Sequence, residues 1–309
     1  VLIFHKFHPL IALVGCVCFV WFAQGCSKPS NVETALDEDI LHFGLGAEPQ
    51  HLDPHLATSV AAHNILSALL EGLVSEHPET LKPVPGVAQR WEKLEEGKTY
   101  LFYLRENALW SNGDPVTAHD FVYSFRRILN PNLGAQYASM LHPLKNAKLY
   151  HEGKKTWEEA KVGAEAIDNF TLKITLEHPI PYFLELLNHY SWFPVHRPTL
   201  EKFDAFEKMG TPWTKPGNFV GNGPFQLIEH QINSVIAAGK NNHYWDASSV
   251  RLEGIRFYPI ESVDTEERAY RAGFLHLTQS VSADRIDYLK EKYPDELHFE
   301  PYLGTYFYR

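Results

Sequence analysis

The sequence predicts an α/β fold with two domains, on three observations. The chain has 309 residues, 44% of them hydrophobic, which is enough for two cores of roughly 100–200 residues each. Segments in which polar and apolar residues alternate, typical of strands, are interspersed with segments of helical spacing. A stretch rich in proline, glycine and asparagine over 210–224 predicts a domain boundary near its position.

The first strand and the first helix are predicted near the start of the folded region. Residues 40–46 alternate between apolar and polar, which indicates a strand. A helix is predicted over 60–73 and should end with the help of Gly72. Its apolar residues recur at helical spacing: Ile65, Leu66, Leu69, Leu70 and Leu73.

A second helix and four more strands are predicted further along the chain. The helix should begin near Thr117, where Asp120 occupies the acidic position of a capping box, and should close at Pro131. Its apolar stripe consists of Phe121, Phe125 and Ile128. Strand patterns occur over 100–104, 171–176, 225–228 and 255–258.

The first 26 residues have the layout of an export signal. A weakly basic start precedes an apolar run over 10–23, which is shorter than the ~20 residues that a membrane-spanning helix needs. The segment Ala23-Gln24-Gly25-Cys26 resembles a bacterial lipobox, in which Leu is more usual at the position of Ala23. We therefore expect a lipoprotein signal peptide over 1–26, lipidation of Cys26 and a flexible polar tether over 27–39. A transmembrane helix is the competing interpretation.

Cysteine content and net charge exclude several kinds of site and partner. All three cysteines, Cys16, Cys18 and Cys26, lie in this first segment, so the remaining sequence has no disulfide, thiolate metal site or cysteine nucleophile. The formal net charge of −10 disfavours nucleic acid and other polyanions as partners.

Motifs of enzymes and cofactor sites are incomplete in this sequence. Gly44-Leu45-Gly46 begins like a dinucleotide-binding loop, but Pro49 stands in place of the third glycine. Gly97-Lys98-Thr99 resembles the end of a phosphate-binding loop, but Glu92 stands where the first glycine is required. No zinc-binding His-Glu-x-x-His, nucleophile elbow or EF-hand loop occurs. We therefore expect no catalytic residue, no cofactor and no metal, and a binding protein rather than an enzyme.

A series of short segments between Gly46 and Arg309 carries a family resemblance. In chain order they are Gly46-Ala47-Glu48-Pro49-Gln50-His51-Leu52-Asp53-Pro54-His55, Leu70-Glu71-Gly72-Leu73, Pro85-Gly86-Val87-Ala88, the long segment from Trp110 to Ser124, Pro179-Ile180-Pro181-Tyr182-Phe183, Asn222-Gly223-Pro224-Phe225, Tyr244-Trp245, Tyr270-Arg271-Ala272-Gly273, Pro294-Asp295-Glu296-Leu297-His298 and Pro301-Tyr302-Leu303. Together they resemble the oligopeptide-binding proteins of the peptide/nickel group, family 5 of the bacterial extracytoplasmic solute-binding proteins. The segment from Trp110 to Ser124 resembles the signature of the group.

The fold that this resemblance implies is a periplasmic-binding-protein-like clamshell. Members are α/β proteins of type II with three domains, in which two lobes close over a peptide. A first lobe made from 40–60 and 205–303 is implied here, with a second domain over 61–204 inserted between its parts. Residues 304–309 would begin the crossing into the third domain. The chain would then be the N-terminal part of a longer protein, or the product of a split or decayed gene.

The function that the resemblance implies is peptide capture for an ATP-binding-cassette uptake system. We expect the protein to bind extended oligopeptides in the periplasm or at the cell surface, where its lipid anchor would hold it at a bacterial membrane. It would deliver them to a permease and its ATPase subunits. Dipeptides, murein peptides, haem and nickel complexes are alternative ligands. An unrecognised secreted peptidase, or a decayed fragment without binding activity, is the alternative function.

The resemblance also implies a set of ligand-binding residues. They are Glu48, Pro49, Gln50, Tyr123, Thr278, Gln279, Ser280 and Phe307. Residues 48–50 match the segment that runs beside the peptide backbone, and 278–280 match a polar cleft loop. Tyr123 and Phe307 match aromatic cleft residues, while ordinary helix packing is the alternative for Tyr123 and a turn carboxylate the alternative for Glu48. The signature residues are instead expected to fold a tight turn: Trp110, Gly113, Asp114 and Pro115.

Overall fold

The computed structural model describes residues 30–299, which form two four-stranded sheets, one two-stranded sheet and the helices around them. The predictions for 1–26 and Cys26, and those for Phe307 and 304–309, lie outside the described residues. The elements in chain order are α1 (Asn31–Glu38), β1 (Ile40–Gly44), α2 (Val60–Leu69), β2 (Val74–Glu76), β3 (Pro83–Pro85), β4 (Ala88–Leu94), β5 (Thr99–Leu104), α3 (Ala118–Ile128), α4 (Ala147–His151), α5 (Trp157–Ala160), β6 (Ala164–Asp168), β7 (Thr171–Thr175), α6 (Phe183–Leu186), α7 (Arg197–Lys202), β8 (Phe225–Gln231), β9 (Val235–Lys240), β10 (Gly254–Tyr258), α8 (Val263–Arg271) and α9 (Ile286–Lys292).

The first sheet combines strands from the two ends of the described chain. Its order is β1-β10-β9-β8, with β1 parallel to β10 and the other neighbours antiparallel. Because β8 and β10 both run antiparallel to β9, the strands β1, β10 and β8 point the same way. Their carboxyl ends therefore meet on one side, which we call the carboxyl end of the first sheet. In open α/β sheets, ligands bind beyond the carboxyl ends of the parallel strands.

The second sheet is antiparallel throughout, in the order β4-β5-β7-β6, and is covered by α3. Alternate side chains of β5 and β7, including Phe102 and Leu172, are fully buried. The predicted apolar stripe of α3, represented by Phe121 and Phe125, is fully buried as well. Each such side chain contributes about 1.5–3 kcal/mol through its removal from water. This packing anchors the helix on the sheet.

The start of α3 agrees with the predicted capping box. The Asp120 carboxylate accepts hydrogen bonds from the backbone N–H and from the hydroxyl of Thr117, both at 2.8 Å. An N-terminal carboxylate satisfies amide groups that have no partner within the helix. The helix ends at Ile128, before Pro131 begins a short 3-10 turn.

The predicted end of the helix over 60–73 is wrong by one turn. The helix α2 ends at Leu69, and Leu70 is already extended. The backbone N–H of Gly223 donates to the Leu69 carbonyl at 3.0 Å, and the Asn222 side chain pairs with both backbone groups of Glu71, at 3.0 and 2.9 Å. A distant segment thus supplies the hydrogen bonds that another helical turn would have made.

The predicted flexible tether over 27–39 is also wrong for most of its length. Residues 31–38 form α1, which Ser30 and Glu33 start with a capping box. The Val32 N–H donates to the Gly273 carbonyl at 3.0 Å, so this helix is attached to the first sheet's side of the molecule. The sequence did not reveal this helix because it has no apolar stripe. Ala35 is its single buried residue, and so short a helix packs through that residue alone.

The two large sheets fall into different parts of the predicted domain division. Strands of the first sheet lie within 40–60 and 205–303, and those of the second within 61–204. The exact domain limits stay a prediction, because one continuous hydrophobic core includes residues from both sheets. Within residues 30–299, no helix is long and apolar enough to cross a bilayer.

Two buried polar networks join these parts of the chain. In the first, the Arg127 guanidinium of α3 bonds both carboxylate oxygens of Asp53, at 2.9 and 2.6 Å, and the Ala205 carbonyl at 3.1 Å. In the second, the Glu71 carboxylate accepts from the Tyr244 hydroxyl at 2.6 Å and from the Trp245 indole N–H at 2.7 Å. We call them the Asp53 network and the Glu71 network. Asp53 and all three residues of the Glu71 network lie on segments that carry the family resemblance.

Candidate functional site

The carboxyl end of the first sheet brings two of the predicted ligand segments together. The chain after α8 runs parallel to β1, with Leu277 beside Phe43, and the Gly44 N–H donates to the Leu277 carbonyl at 2.8 Å. The loop after β1 and residues 278–280 therefore emerge next to each other. Parallel pairing is what places them there, since parallel neighbours present the same chain direction at one end of a sheet.

Gln279 is the best-defined member of this site. Its amide oxygen accepts from the Asn64 side chain of α2 at 3.0 Å, and its backbone N–H donates to Glu266 at 3.2 Å. Its side chain lies against Gly46, where a Cβ would be 3.3 Å from the Gln279 Cγ. Gly46 has φ +77, a conformation that glycine adopts without strain. Three chain segments thus hold Gln279, which is nevertheless exposed to solvent.

Glu266 supports the site from beneath. It is buried, and a Cβ on Gly44 would lie 2.2 Å from its carboxylate oxygen, so glycine at position 44 leaves the space for it. Burial raises the pKa of Glu266, whereas backbone N–H groups of Gln279, Ser280 and Gly46 act in the opposite direction. This carboxyl group links the two ligand segments through their backbones.

The Glu48 side chain is hydrogen-bonded to another loop at the carboxyl end of the first sheet. One carboxylate oxygen lies 2.7 Å from His230 Nε2, and the other accepts from the Asn233 N–H at 3.1 Å. Both partners belong to the turn between β8 and β9 or to its flank. Pro49 is buried and Gln50 is exposed. The contacts of Glu48 favour the interpretation as a turn carboxylate over that of a free attractor for cations.

Tyr123 is not placed with these segments by its contacts. Its ring lies 5.2 Å from the Phe206 ring and 5.5 Å from the Arg197 guanidinium, and neither residue belongs to the carboxyl end of the first sheet. Burial, together with Glu201, raises the pKa of its hydroxyl to about 12. This environment matches ordinary helix packing, and a role for Tyr123 in ligand binding stays a prediction.

An aromatic cluster beside α2 was not found by sequence reasoning. The rings of Tyr137, His189 and Tyr190 pack together, with 5.4 Å between the first two and 4.1 Å between the last two. Tyr137 donates to the Thr58 carbonyl at 3.4 Å, immediately before the helix. Val60, at the start of the same helix, is 58% exposed. The cluster thus packs beside the start of α2, and Tyr137 is too far from the other two residues in sequence for the three to form a motif.

The histidine in that cluster is neutral at ordinary pH. Burial, and then the nearby His63, lower the pKa of His189 to about 4. Its Nδ1 lies 2.8 Å from the Ser191 hydroxyl. The aromatic cluster beside the N-terminus of α2 is therefore uncharged.

The signature segment folds the tight turn that was predicted for it. Trp110 is fully buried, and its carbonyl accepts from the Gly113 N–H at 2.8 Å. Gly113 has φ +90, which favours glycine. The Ser111 N–H donates to the Gly221 carbonyl at 2.7 Å, so the turn also holds the segment that leads to β8. These residues are structural, as expected.

Residues 30–299 contain no group of three or more histidine, cysteine or acidic side chains arranged to hold a metal ion. The site consists of loops and polar side chains at the end of a sheet. Such groups interact with ligands through hydrogen bonds and shape.

Comparison with known proteins places these features in context. A sequence model described as bacterial extracellular solute-binding proteins, family 5 middle, matches residues 82–309. The periplasmic oligopeptide-binding protein OppA of Salmonella typhimurium is 38% identical over 289 residues, which are 93% of this chain and 51% of that protein. The chain therefore spans about half the length of the curated relatives it matches.

Solved structures show the same similarity. The Escherichia coli murein tripeptide binding protein MppA superposes with a TM-score of 0.78 at 34% identity, over 83% of this chain and 48% of that one. A complex of Haemophilus influenzae OppA with the peptide RPPGFSPFR gives a TM-score of 0.77 at 37% identity, over 83% of this chain and 49% of that one. The described α/β fold is thus shared with about half of each periplasmic peptide-binding protein.

Proposed function

Because this chain belongs to family 5 of the bacterial extracellular solute-binding proteins, we propose that it is part of the substrate-binding component of an ATP-binding-cassette peptide uptake system. It captures extended oligopeptides outside the cytoplasmic membrane and delivers them to a permease with its ATPase subunits. The proposal is supported by relatives whose names state oligopeptide or murein peptide binding. The expected class, a family 5 clamshell represented by its first part, is confirmed by the structural neighbours.

The observation that carries the proposal is the joint position of Gln279 and α2 at the carboxyl end of the first sheet. An extended peptide offers a regular row of N–H and C=O groups, which exposed loop backbone can pair with as it would with an added strand. Bridging waters then adapt to different peptide side chains. A site of this kind needs neither a nucleophile nor an activated water.

The proposed ligand-facing residues follow from the contacts described above. Residues 278–280 meet α2 through the bond between Gln279 and Asn64, and the exposed Gln50 is the proposed ligand-facing residue of the loop after β1. Glu48 and Pro49 hold the loop between them, Glu48 through its bonds to the turn after β8. In this arrangement the predicted residues of the first segment act mainly by placing backbone, and those of the second act through exposed polar groups.

The function is tested by peptide capture with the full-length gene product. The protein is incubated with a mixture of short peptides, and the retained peptides are identified by mass spectrometry and then titrated by calorimetry. Gln279→Ala should weaken binding about tenfold, because it removes the bond to Asn64 and one polar group of the site. Gln226→Ala is the matched control, since Gln226 is exposed on β8.

Two outcomes would count against peptide capture. Retention of no peptide above the level seen with an unrelated protein contradicts the proposal. Reproducible cleavage of the mixture, abolished by one point mutation, would favour a secreted peptidase instead. Equal loss of affinity in Gln279→Ala and Gln226→Ala would show that the site lies elsewhere.

Lipid anchoring through Cys26 is a further part of the proposal, supported by its position after Gly25 and before a polar segment. Radiolabelled palmitate should enter the wild-type protein and the control Cys18→Ser, but not Cys26→Ser. Labelling of Cys26→Ser at the wild-type level would refute the anchor. Periplasmic location of the named relatives supports an extracytoplasmic position for this protein.

A further inference from the structure

His276 makes an unusual pair of hydrogen bonds with β1. Its backbone N–H donates to the His42 carbonyl at 2.9 Å, and its imidazole Nδ1 accepts from the His42 N–H at 3.0 Å. In a sheet ladder, a carbonyl oxygen of the neighbouring strand normally accepts from such an N–H. Here a side-chain nitrogen takes that place, one residue before Leu277 pairs with Gly44. His276 therefore completes the attachment of the segment that leads into 278–280.

The groups on the β1 side of this contact are already hydrogen-bonded. His42 is buried. Burial lowers the pKa of its ring to about 4, with smaller contributions from the nearby His276 and Arg256, so the ring is neutral. Nδ1 of this ring is hydrogen-bonded to the Tyr258 hydroxyl, whose oxygen lies 2.9 Å away. The His42 N–H donates to His276 Nδ1, and a buried N–H that loses its acceptor is unfavourable.

We propose that His276 is a positioning residue for the loop 278–280, and that its imidazole makes the position of this loop depend on pH. The inference rests on the proposed function only in so far as the loop contacts peptide. Protonation places a hydrogen on Nδ1, which then donates and can no longer accept from the His42 N–H. Histidine is the side chain that ordinarily changes charge between pH 5 and 8.

The surroundings of the ring allow it to leave its place. A cavity of about 280 Å³ lies next to His276 and Thr278, between α8 and the segment after α9. A protonated ring can turn into this space, which removes the bond to β1 and loosens Leu277 and the loop that follows. Gln279 would keep its own bonds to Asn64 and Glu266, but the segment that leads into it would have lost one attachment to β1.

Other charged or titratable groups also face this ring. From β1 it is His42, whose own neighbours on β10 are Arg256 and Tyr258. Around the cavity next to the ring they are Glu267, Tyr270 and Arg271 of α8 and, from the segment around and after α9, Tyr293, Asp295, Glu296 and His298. Two of the acids are already paired, Glu267 with Arg285 at 2.9 Å and Glu296 with the Tyr270 hydroxyl at 2.6 Å. His298 is the other histidine at the cavity and therefore needs its own control.

Amide hydrogen exchange at His42 and Gln279 tests the proposal without any peptide. In the wild type, protection factors corrected for intrinsic exchange should fall about tenfold between pH 7.5 and 5.5, the equivalent of one lost hydrogen bond. His276→Asn should keep the protection at both pH values, because its amide oxygen accepts and does not titrate. His276→Leu should lack the protection at both, and His298→Asn should behave like the wild type.

The outcomes that overturn the proposal are equally distinct. A wild-type protection factor that is unchanged across this range refutes it, as does a drop of wild-type size in His276→Asn. A drop that disappears in His298→Asn assigns the effect to the other histidine and also refutes it. Peptide affinity is measured on the same proteins, and the tenfold pH dependence should be absent from His276→Asn. If none of the proteins binds peptide at either pH, the proposed function fails, and exchange at Gln279 still decides whether His276 positions the loop.

Discussion

The Asp53 network and the Glu71 network solve the same problem with different chemistry. Each buries a carboxyl group where the chain passes between the two sheets. Burial alone would raise the pKa of Asp53, but the Arg127 guanidinium that bonds both of its oxygens lowers it below the ordinary value. Burial raises the pKa of Glu71 to about 7, because Tyr244 and Trp245 offer only neutral donors and oppose the shift incompletely.

The difference teaches that hydrogen bonding and charge compensation are separate requirements. Both carboxyl groups have bonds to each oxygen, yet only Asp53 has a guanidinium in direct contact. Arg105 acts on Glu71 from a distance and lies 3.6 Å above the Trp245 ring. A buried charge is stable when an opposite charge accompanies its hydrogen bonds, whereas a buried carboxyl with neutral donors takes up a proton more readily. The charge of Asp53 should therefore stay the same when the pH changes around neutrality, whereas the charge of Glu71 should change.

The largest effect is expected for removal of the charge in the Asp53 network. Arg127→Met should lower the free energy of unfolding by about 3–5 kcal/mol, because it leaves a buried carboxylate without its partner. Urea denaturation measures this change. The neighbouring Arg126 is the matched control: its ion pair with Glu158, at 3.3 Å, is exposed, and Arg126→Met should cost about 0–1 kcal/mol. Similar costs for both variants would show that the buried pair is not the stabilising element.

The next effect concerns the pH dependence that Glu71 introduces. Its pKa is raised from 4.5 to about 7 in the folded protein, so the folded state holds this proton more tightly than the unfolded state. The resulting stabilisation is complete below pH 4.5 and is lost as the pH rises through 7. At about 1.4 kcal/mol per pKa unit, the loss amounts to roughly 3 kcal/mol.

Glu71→Gln should remove this slope from the free energy of unfolding between pH 4.5 and 8. Glu76→Gln, which changes an exposed glutamate on β2, should retain it. Urea titrations at several pH values provide the measurement. An unchanged slope in Glu71→Gln would mean that the carboxylate is compensated in solution in a way that the described contacts do not provide.

The smallest effect sharpens the comparison within the Glu71 network. Tyr244→Phe removes the 2.6 Å bond to the carboxylate and should cost about 1 kcal/mol at pH 8. Because that bond lowers the pKa of Glu71, its loss should also move the midpoint of the pH dependence upward. Tyr182→Phe is the control, since Tyr182 is 60% exposed. A midpoint that moves downward in Tyr244→Phe would contradict the assigned role of the hydroxyl.

Several elements could be predicted from the sequence because their signals are local. The capping pair of Thr117 and Asp120, the stripe that follows it and the strand patterns over 100–104 and 171–176 all depend on residues within a few positions of one another. The tight turn around Gly113 belongs to the same class. Short-range spacing determines which residues face the core, and burial of that face then follows.

The candidate site was predicted less completely. Family resemblance pointed to Gln279 and its neighbours, which the structure brings beside Gly46 and Asn64. It also pointed to Tyr123, whose contacts lie elsewhere, and it missed the cluster that includes Tyr137. Resemblance transfers positions along a chain, but it does not show which side chains meet across a fold.

The sequence by itself determined the family, the helix and strand propensities and the turns, because all of these depend on residue order or on near neighbours. Only the tertiary structure decided that α2 stops at Leu69, where the backbone of Gly223 takes over a helical carbonyl. It also decided that a histidine completes β1, and that one buried carboxyl group is charged while another titrates near neutrality. Those outcomes depend on hydrogen-bond partners and charges that lie far apart in sequence and meet only in the folded chain.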